Sequence, residues 1–193
     1  MTGGQGCSDN STAHCPGQSD DEYRTEFTFW AWTRSVLLFA TDPRNLTAVM
    51  QEALFNAEVM CRLGAVDFPR CRSHPPLLHL VGQILAVNQA PCAAPGITRV
   101  AEAACGSTEP CQVWATAPFC DGYSYVALLN GGDSAATFAL DFDVLPGRSA
   151  NTTAAVRDLW GHRELGVYTG ALPAAEVVLA AHATMALQLR PQS

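Results

Sequence analysis

The sequence predicts a chain of two parts, a short α/β segment followed by an antiparallel β-sandwich. In the first part, a capped helix precedes an apolar strand over residues 36–40. This strand shows no polar alternation, which is typical of a parallel strand that helices cover on both sides. In the second part, short strand-like pieces recur roughly every ten residues between turn signals, as in a sandwich. The α/β segment is half of a βαβ unit, so it requires a partner.

The helix is predicted over residues 19–33. Ser19 and Glu22 match a capping box, which satisfies free N–H groups at a helix start. Asp20 and Asp21 place negative charge where the helix dipole favours it. The helix terminus explains both aspartates, so we do not expect them to be a catalytic pair. An aromatic stripe follows at helical spacing, made of Tyr23, Phe27, Trp30 and Arg34.

Asp42 lies at the C-terminal end of the apolar strand, where α/β barrels place their catalytic groups. The competing interpretation is a buried ion pair or turn cap with Arg44. A second helix is predicted after Asn45, with an apolar face formed by Val49, Met50, Ala53 and Leu54.

Residues 60–83 show no sustained period and carry a Pro-Pro pair. Their cysteines and histidines suggest a metal site at first sight, made of Cys61, Cys71, His74 and His79. This spacing fits no structural zinc pattern well, so we expect neither a metal nor another cofactor.

The sandwich is predicted over residues 97–193. Strands over 112–116 and 123–129 are joined by a hairpin with an Asp-Gly turn. Next comes one strand with a buried face, formed by Phe138, Leu140, Phe142 and Val144. Further strands over 156–160, 164–168, 176–179 and 184–189 bring the total to about eight. Three aromatic residues either stack on sugar rings or belong to the core: Trp114, Tyr123 and Trp160.

The composition of the 193 residues excludes several classes of protein. The net charge is −7, and the 11 Lys and Arg residues are scattered, which argues against a nucleic-acid partner. No stretch approaches the roughly 20 apolar residues that cross a bilayer. The sequence also lacks a nucleophile elbow, an HExxH motif, a Walker loop and a CxxC pair.

Eight cysteines and three glycosylation sequons indicate an oxidising, secretory environment. The candidate disulfide partners are Cys7 with Cys15 and Cys105 with Cys111. The candidate glycosylation sites are Asn10, Asn45 and Asn151. The first residues have neither the basic nor the apolar region of a signal peptide, so we expect the signal upstream. A cytosolic protein with free thiols is the alternative.

Several segments in fixed order carry a resemblance to a known family: GGQGC, DDEYRTEFTFWAW, VLLFATDPRNLT, LAVNQAP, VWATAP, DGYSYVALLN, VRDLWG and LGVYTG. This set closely resembles the C-terminal part of the α-galactosidases of glycoside hydrolase family 27. The resemblance implies the C-terminal end of a (β/α)8 TIM barrel followed by an antiparallel β-sandwich domain. Residues 36–40 would be the eighth barrel strand, which makes Asp42 a scaffold residue.

The resemblance divides the chain into barrel elements over 1–59, an irregular insertion over 60–83, a linker strand over 84–96 and the sandwich over 97–193. Two explanations of the insertion stay open, a translated intron and a lineage-specific surface loop, and sequencing the mature transcript separates them. The family usually has NQDP where this chain has NQAP at 88–91. This departure puts a local hydrogen-bond network in doubt.

Family members hydrolyse terminal α-galactosides with retention, through two aspartates. Both aspartates lie upstream of the motif at which this chain begins, so we assign no catalytic residue and leave the substrate-binding residues unknown. We therefore expect a C-terminal fragment that is inactive alone and aggregates through its exposed barrel remnant. The resemblance implies that the full-length protein binds a galactoside and is secreted, lysosomal or vacuolar. Whether it forms a homodimer stays open. The sequence does not distinguish α-galactosidase specificity from α-N-acetylgalactosaminidase specificity.

Two alternatives from other classes remain. The sandwich could act alone as a carbohydrate-binding or interaction module without catalysis, which a glycan array would test. A small disulfide-rich structural protein would instead be soluble and monomeric when expressed.

Overall fold

The computed structural model describes residues 18–33, 48–49, 51, 96–105 and 109–192. In this part of the chain, helix α1 (Asp20–Trp32) precedes ten strands. They are β1 (Thr98–Ala103), β2 (Cys111–Ala115), β3 (Ser124–Leu129), β4 (Ala136–Thr137), β5 (Leu140–Asp141), β6 (Thr153–Asp158), β7 (Arg163–Thr169), β8 (Ala171–Leu172), β9 (Val178–Leu179) and β10 (Thr184–Pro191). Short 3-10 helices cover Phe142–Val144 and Ala174–Glu176.

Six of these strands form one antiparallel sheet, in the order β1-β2-β3-β10-β6-β7. We call it the large sheet. Two small antiparallel sheets, β4–β9 and β5–β8, lie against one of its faces. The antiparallel β-sandwich predicted from the sequence is therefore confirmed.

The sandwich core lies between the large sheet and the two small ones. The large sheet contributes alternate aliphatic side chains, such as Val126 and Leu128 of β3 and Leu187 of β10. The small sheets and their connections contribute Phe138, Leu140, Phe142, Leu172, Val177 and Leu179. In the large sheet, alternation with a period of two places these side chains inward, because successive side chains of a strand point to opposite faces.

The predicted hairpin is confirmed, because β2 pairs with β3 in an antiparallel register from Gln112–Leu129 to Ala115–Val126. The prediction of one strand from Phe138 to Val144 is wrong. The chain pairs first with β9 and then with β8, in separate small sheets, and ends in a 3-10 turn. This turn leaves Val144 37% exposed. Two-residue strands also explain why the sequence pattern yields about eight strands rather than ten.

Helix α1 begins with the predicted capping box. The Ser19 hydroxyl accepts a hydrogen bond from the Glu22 N–H, and the Glu22 carboxylate accepts one from the Ser19 N–H at 2.7 Å. Tyr23 and Phe27 of the predicted stripe are buried, and Trp30 is half-buried. Residues 48, 49 and 51 are helical, in agreement with the second predicted helix.

Several predictions fall outside the described residues. They concern the strand over 36–40, the insertion over 60–83, and Cys7, Asn10, Cys15, Asp42, Arg44, Asn45, Cys61, Cys71, His74 and His79. In the part of the chain that the structure covers, no helix has the length and apolar character needed to cross a membrane.

Candidate functional site: the outer face of the large sheet

The outer face of the large sheet is turned away from the sandwich core, and helix α1 packs on it. The sheet contributes Tyr125, Ala127 and Ala186, which alternate with the inward residues of β3 and β10. The helix contributes Tyr23, Phe27, Ala31 and Trp32. These side chains form a second hydrophobic core, which we call the helix–sheet interface.

Aromatic rings dominate this interface and meet edge to face. The ring centroids lie 5.2 Å apart for Phe29 and Trp114, 5.8 Å for Trp32 and Tyr125, and 6.3 Å for Phe27 and Trp160. Edge-to-face pairs contribute energy beyond the area they bury, and they fix the orientation of both rings. Trp114, Tyr123 and Trp160 all pack against this core. Their packing favours the core interpretation over stacking on sugar rings.

Two threonines of α1 tie the aromatic core to the sheet. The Trp160 indole N–H donates to the Thr28 hydroxyl at 2.8 Å, and that hydroxyl donates to the Arg24 carbonyl at 2.7 Å. The Arg24 guanidinium lies 6.0 Å from the centre of the Trp160 ring. One turn earlier, the Thr25 hydroxyl is 2.9 Å from both the His182 carbonyl and the Thr184 hydroxyl. These bonds are directional, so they select one position of the helix on the sheet.

His182 bridges the start of α1 to the loop after β3. Its Nδ1 is 3.0 Å from Glu22 Oε1, and its Nε2 is 3.0 Å from Asp133 Oδ1. Because a carboxylate faces each ring nitrogen, the doubly protonated ring is favoured. The hydrogen bond to Glu22, followed by the one to Asp133, raises the pKa of His182. The pKa of Glu22 is lowered, first by the Ser19 N–H and then by His182.

The remainder of the outer face carries a network of ion pairs. Glu164 binds Arg157 at 3.0 Å and Arg190 at 2.7 Å. Asp158 accepts a hydrogen bond from the Gly161 N–H at 3.0 Å and lies 3.4 Å from Arg163 Nε. Within the described residues, no group of three or more His, Cys, Asp or Glu could hold a metal ion. These carboxylates shape turns and pair strands.

Of the predicted disulfide and glycosylation residues, the structure describes three. Cys105 and Cys111 form a disulfide with a Cα–Cα distance of 5.8 Å, which joins the first residue of β2 to the start of the connection after β1. Cys120 is disulfide-bonded as well. Asn151 is exposed in the turn before β6.

Sequence reasoning missed Thr25, Thr28 and His182. The two threonines carry a usable signal, because they lie among the aromatic residues of α1 and a buried hydroxyl requires a partner. His182 carries none. It lies in a turn at a φ of 58°, and its partner Glu22 is 160 residues away.

Comparison with known proteins identifies the sandwich. Residues 108–189 match the model of the alpha galactosidase C-terminal beta sandwich domain. These residues are an α-galactosidase C-terminal β-sandwich domain. The chain is therefore α-galactosidase-like, by this domain and by its similarity to curated α-galactosidases.

Two curated relatives extend the similarity to the N-terminal side of this domain. The chain is 30% identical to alpha-galactosidase 3 of Arabidopsis thaliana over 77% of its length, and 28% identical to an alpha-galactosidase of Cyamopsis tetragonoloba over 92%. These alignments span 27% and 34% of the two relatives. The chain thus spans about a third or less of the relatives that it matches.

Solved structures of the same kind share the fold. Alpha-galactosidase I from Mortierella vinacea superimposes with a TM-score of 0.63 at 24% identity, over 90% of this chain and 36% of that one. The alpha-galactosidase from Saccharomyces cerevisiae, solved with raffinose, gives 0.65 at 18% identity, over 93% of this chain and 45% of that one.

Proposed function

We propose that this chain supplies the C-terminal part of an enzyme that hydrolyses terminal α-galactosides with retention of configuration. The observation that carries the proposal is the α-galactosidase C-terminal β-sandwich domain over residues 108–189. The proposal extends to a (β/α)8 barrel, of which α1 is one of the last helices. In this view the catalytic aspartates belong to barrel strands that precede α1.

The described part of the chain then has a supporting role. The aromatic candidates Trp114, Tyr123 and Trp160 pack in the helix–sheet interface, and many of the carboxylates are used in turns, caps and ion pairs. The outer face of the large sheet holds α1 in one orientation through edge-to-face rings and threonine hydroxyls. We propose that the sandwich thereby fixes the last elements of the barrel, which keeps the catalytic carboxylates at their separation of about 5 Å.

We further propose that the protein works outside the cytosol, either secreted or in a lysosome or vacuole. The support is the oxidised state of Cys105, Cys111 and Cys120. Disulfides persist in oxidising compartments and are rare where glutathione and thioredoxin keep thiols reduced.

The first test measures the chain by itself. We expect the purified 193-residue chain to show no turnover of a chromogenic α-galactoside, because the proposal places both catalytic carboxylates elsewhere. Turnover above that of a mock purification from the same host would contradict this assignment.

The second test supplies the missing part. The full chain is joined to the N-terminal part of the Cyamopsis tetragonoloba alpha-galactosidase, in place of the segment that it matches. We expect this chimera to hydrolyse the chromogenic α-galactoside. The matched control carries Trp160→Ala, which removes the ring that contacts Phe27 and Thr28, and we expect it to lose activity. A folded chimera that binds galactose but has no activity would contradict the proposed role.

A further inference from the structure

We propose that Asn151 carries an N-linked oligosaccharide that covers the free edge of strand β7. Asn151, Thr152 and Thr153 form an Asn-X-Thr acceptor sequence. The Asn151 side chain is exposed, and its carboxamide makes no hydrogen bond within the described part of the chain. The proposal rests on the secretory location proposed above, because oligosaccharide transfer to asparagine takes place on that route.

Asn130 shows what an asparagine required by the fold looks like. It is fully buried, donates to the carbonyls of Ser134 and Ala180 at 2.7 and 2.8 Å, and accepts from the Gly132 N–H. It lies in no acceptor sequence. Asn151 has the opposite properties, so its side chain is available for modification without loss of an internal contact.

The turn that presents Asn151 has a fixed position beside the end of β7. The Thr152 N–H donates to the Ser149 carbonyl at 2.9 Å, and the Gly170 N–H donates to the Thr152 carbonyl at 2.9 Å. Gly170 follows β7 directly and has a φ of 78°. A side chain at Gly170 would come within 2.7 Å of the Ala150 carbonyl oxygen, so the two turns pack closely. An oligosaccharide on Asn151 therefore starts at the corner of the β7 edge.

Among the residues that the structure describes, strand β7 is the outermost strand of the large sheet on that side. Edge strands present unpaired backbone groups to other chains, and proteins usually protect them. Val167 adds apolar surface to this edge strand, because the residue is 60% exposed. It pairs with Ala155, four residues beyond Asn151, which is about 13 Å along the strand. An oligosaccharide of several sugars reaches this distance.

The modified position is far from the helix–sheet interface. Strand β6 runs from Thr153 to Asp158 and leads to Trp160, which contacts α1. Asn151 lies before the opposite end of that strand, about 20 Å away. An oligosaccharide there leaves the docking of α1 unaffected.

The transfer requires a lipid-linked oligosaccharide diphosphate as donor. A bond forms between Asn151 Nδ2 and the anomeric carbon of the first sugar. The bond from this carbon to the diphosphate breaks, the lipid diphosphate leaves with the electron pair, and the amide releases one proton. In the folded protein the Thr153 hydroxyl is 2.8 Å from the Thr169 hydroxyl. Transfer before β6 pairs with β7 therefore meets the Thr153 hydroxyl without this partner.

Occupancy is measured on the full chain, secreted from a eukaryotic host behind an added signal peptide. A glycan-releasing amidase converts an occupied asparagine to aspartate, which peptide mass spectrometry detects in heavy-oxygen water. We expect conversion of Asn151 in the wild type and in Thr153→Ser, which keeps the acceptor hydroxyl, but not in Thr153→Ala. Secreted protein with bare Asn151 overturns this proposal, whereas the chimera assay above decides the α-galactosidase function separately.

Protection of the edge is measured by size-exclusion chromatography of the same secreted chains at equal concentration. We expect Asn151→Gln to increase the oligomeric fraction severalfold. Adding Val167→Lys should return that fraction to the wild-type level. Adding Val178→Lys is the matched control, since Val178 is 63% exposed but lies on a small sheet. We expect this second lysine to leave the oligomeric fraction of Asn151→Gln unchanged. An unchanged oligomeric fraction in Asn151→Gln, or equal rescue by both lysines, overturns the protective role.

Discussion

Both faces of the large sheet bury hydrophobic residues, but the side chains that pack against them differ. The inner face is almost entirely aliphatic and meets the aliphatic and phenylalanine side chains of the small sheets. The outer face meets aromatic rings of α1 and adds hydrogen bonds through Thr25, Thr28 and Trp160. An aliphatic contact is non-directional and mainly supplies stability. Aromatic edges and hydroxyl pairs specify a geometry, so the outer face is suited to receive one particular helix.

Strand β10 shows this difference within a single element. Met185, Leu187 and Leu189 belong to the sandwich core. The alternate residues face outward, where Thr25 donates to the Thr184 hydroxyl and Gln188 donates to the Tyr125 hydroxyl at 3.2 Å. The predictions below test whether the inner face determines the folding of the sandwich and the outer face the position of the helix.

The largest effect is expected on the inner face. Phe142→Ala should lower the free energy of unfolding by about 3–5 kcal/mol, because the ring is fully buried and its loss leaves a cavity. Denaturant titration followed by circular dichroism measures this change. Val144→Ala, in the same 3-10 turn but 37% exposed, is the control and should stay within about 0.5 kcal/mol of the wild type. Equal losses in both variants would contradict the assignment of the core.

A smaller effect is expected on the outer face. Thr28→Val keeps the shape of the side chain but removes the acceptor of the Trp160 indole N–H. The unsatisfied donor should cost about 1–3 kcal/mol, which the same titration would detect. The exposed Thr137 on β4 provides the control, since Thr137→Val removes no buried bond. An unchanged free energy of unfolding in Thr28→Val would show that this hydrogen bond does not position the helix.

The cap of α1 contributes less. Ser19→Ala removes the hydroxyl that accepts from the Glu22 N–H, and we expect a loss of about 1 kcal/mol. Ser19→Asp restores an acceptor and should recover most of the thermal midpoint. Identical midpoints for Ser19→Ala and the wild type would mean that the helix start is held by other contacts.

The smallest effect is a pH dependence at His182, which is 42% exposed and therefore strongly screened. Its pKa is raised in the folded protein, so its contribution is complete below the unfolded pKa and is lost as pH rises through the folded pKa. The lowered pKa of Glu22 adds a contribution that is lost as pH falls through that value. The difference in thermal midpoint between the wild type and His182→Gln should thus be larger near pH 5 than near pH 8. A larger difference near pH 8 would contradict the doubly protonated ring.

The sequence predicts what is local and periodic in this molecule. The capping box at Ser19, the hairpin between β2 and β3 and the existence of strand β10 all follow from short patterns. The break at Phe142–Val144 does not, because alternating residues look the same whether they form one strand or two short ones and a turn. The helix–sheet interface does not follow from short patterns either. Thr28 and Trp160 are 132 residues apart, and no pattern states which surfaces meet.

Native-state hydrogen exchange on the full chain tests the separate roles of the two faces most directly. We predict that the amides of α1 exchange through a lower-energy opening than those of β10, because the helix can undock while the sandwich stays folded. Phe27→Ala, which removes a buried ring of the interface, should then accelerate exchange in α1 by roughly a hundredfold or more and leave β10 unchanged. Equal protection of α1 and β10 in the wild type, with equal acceleration in the variant, would contradict this account.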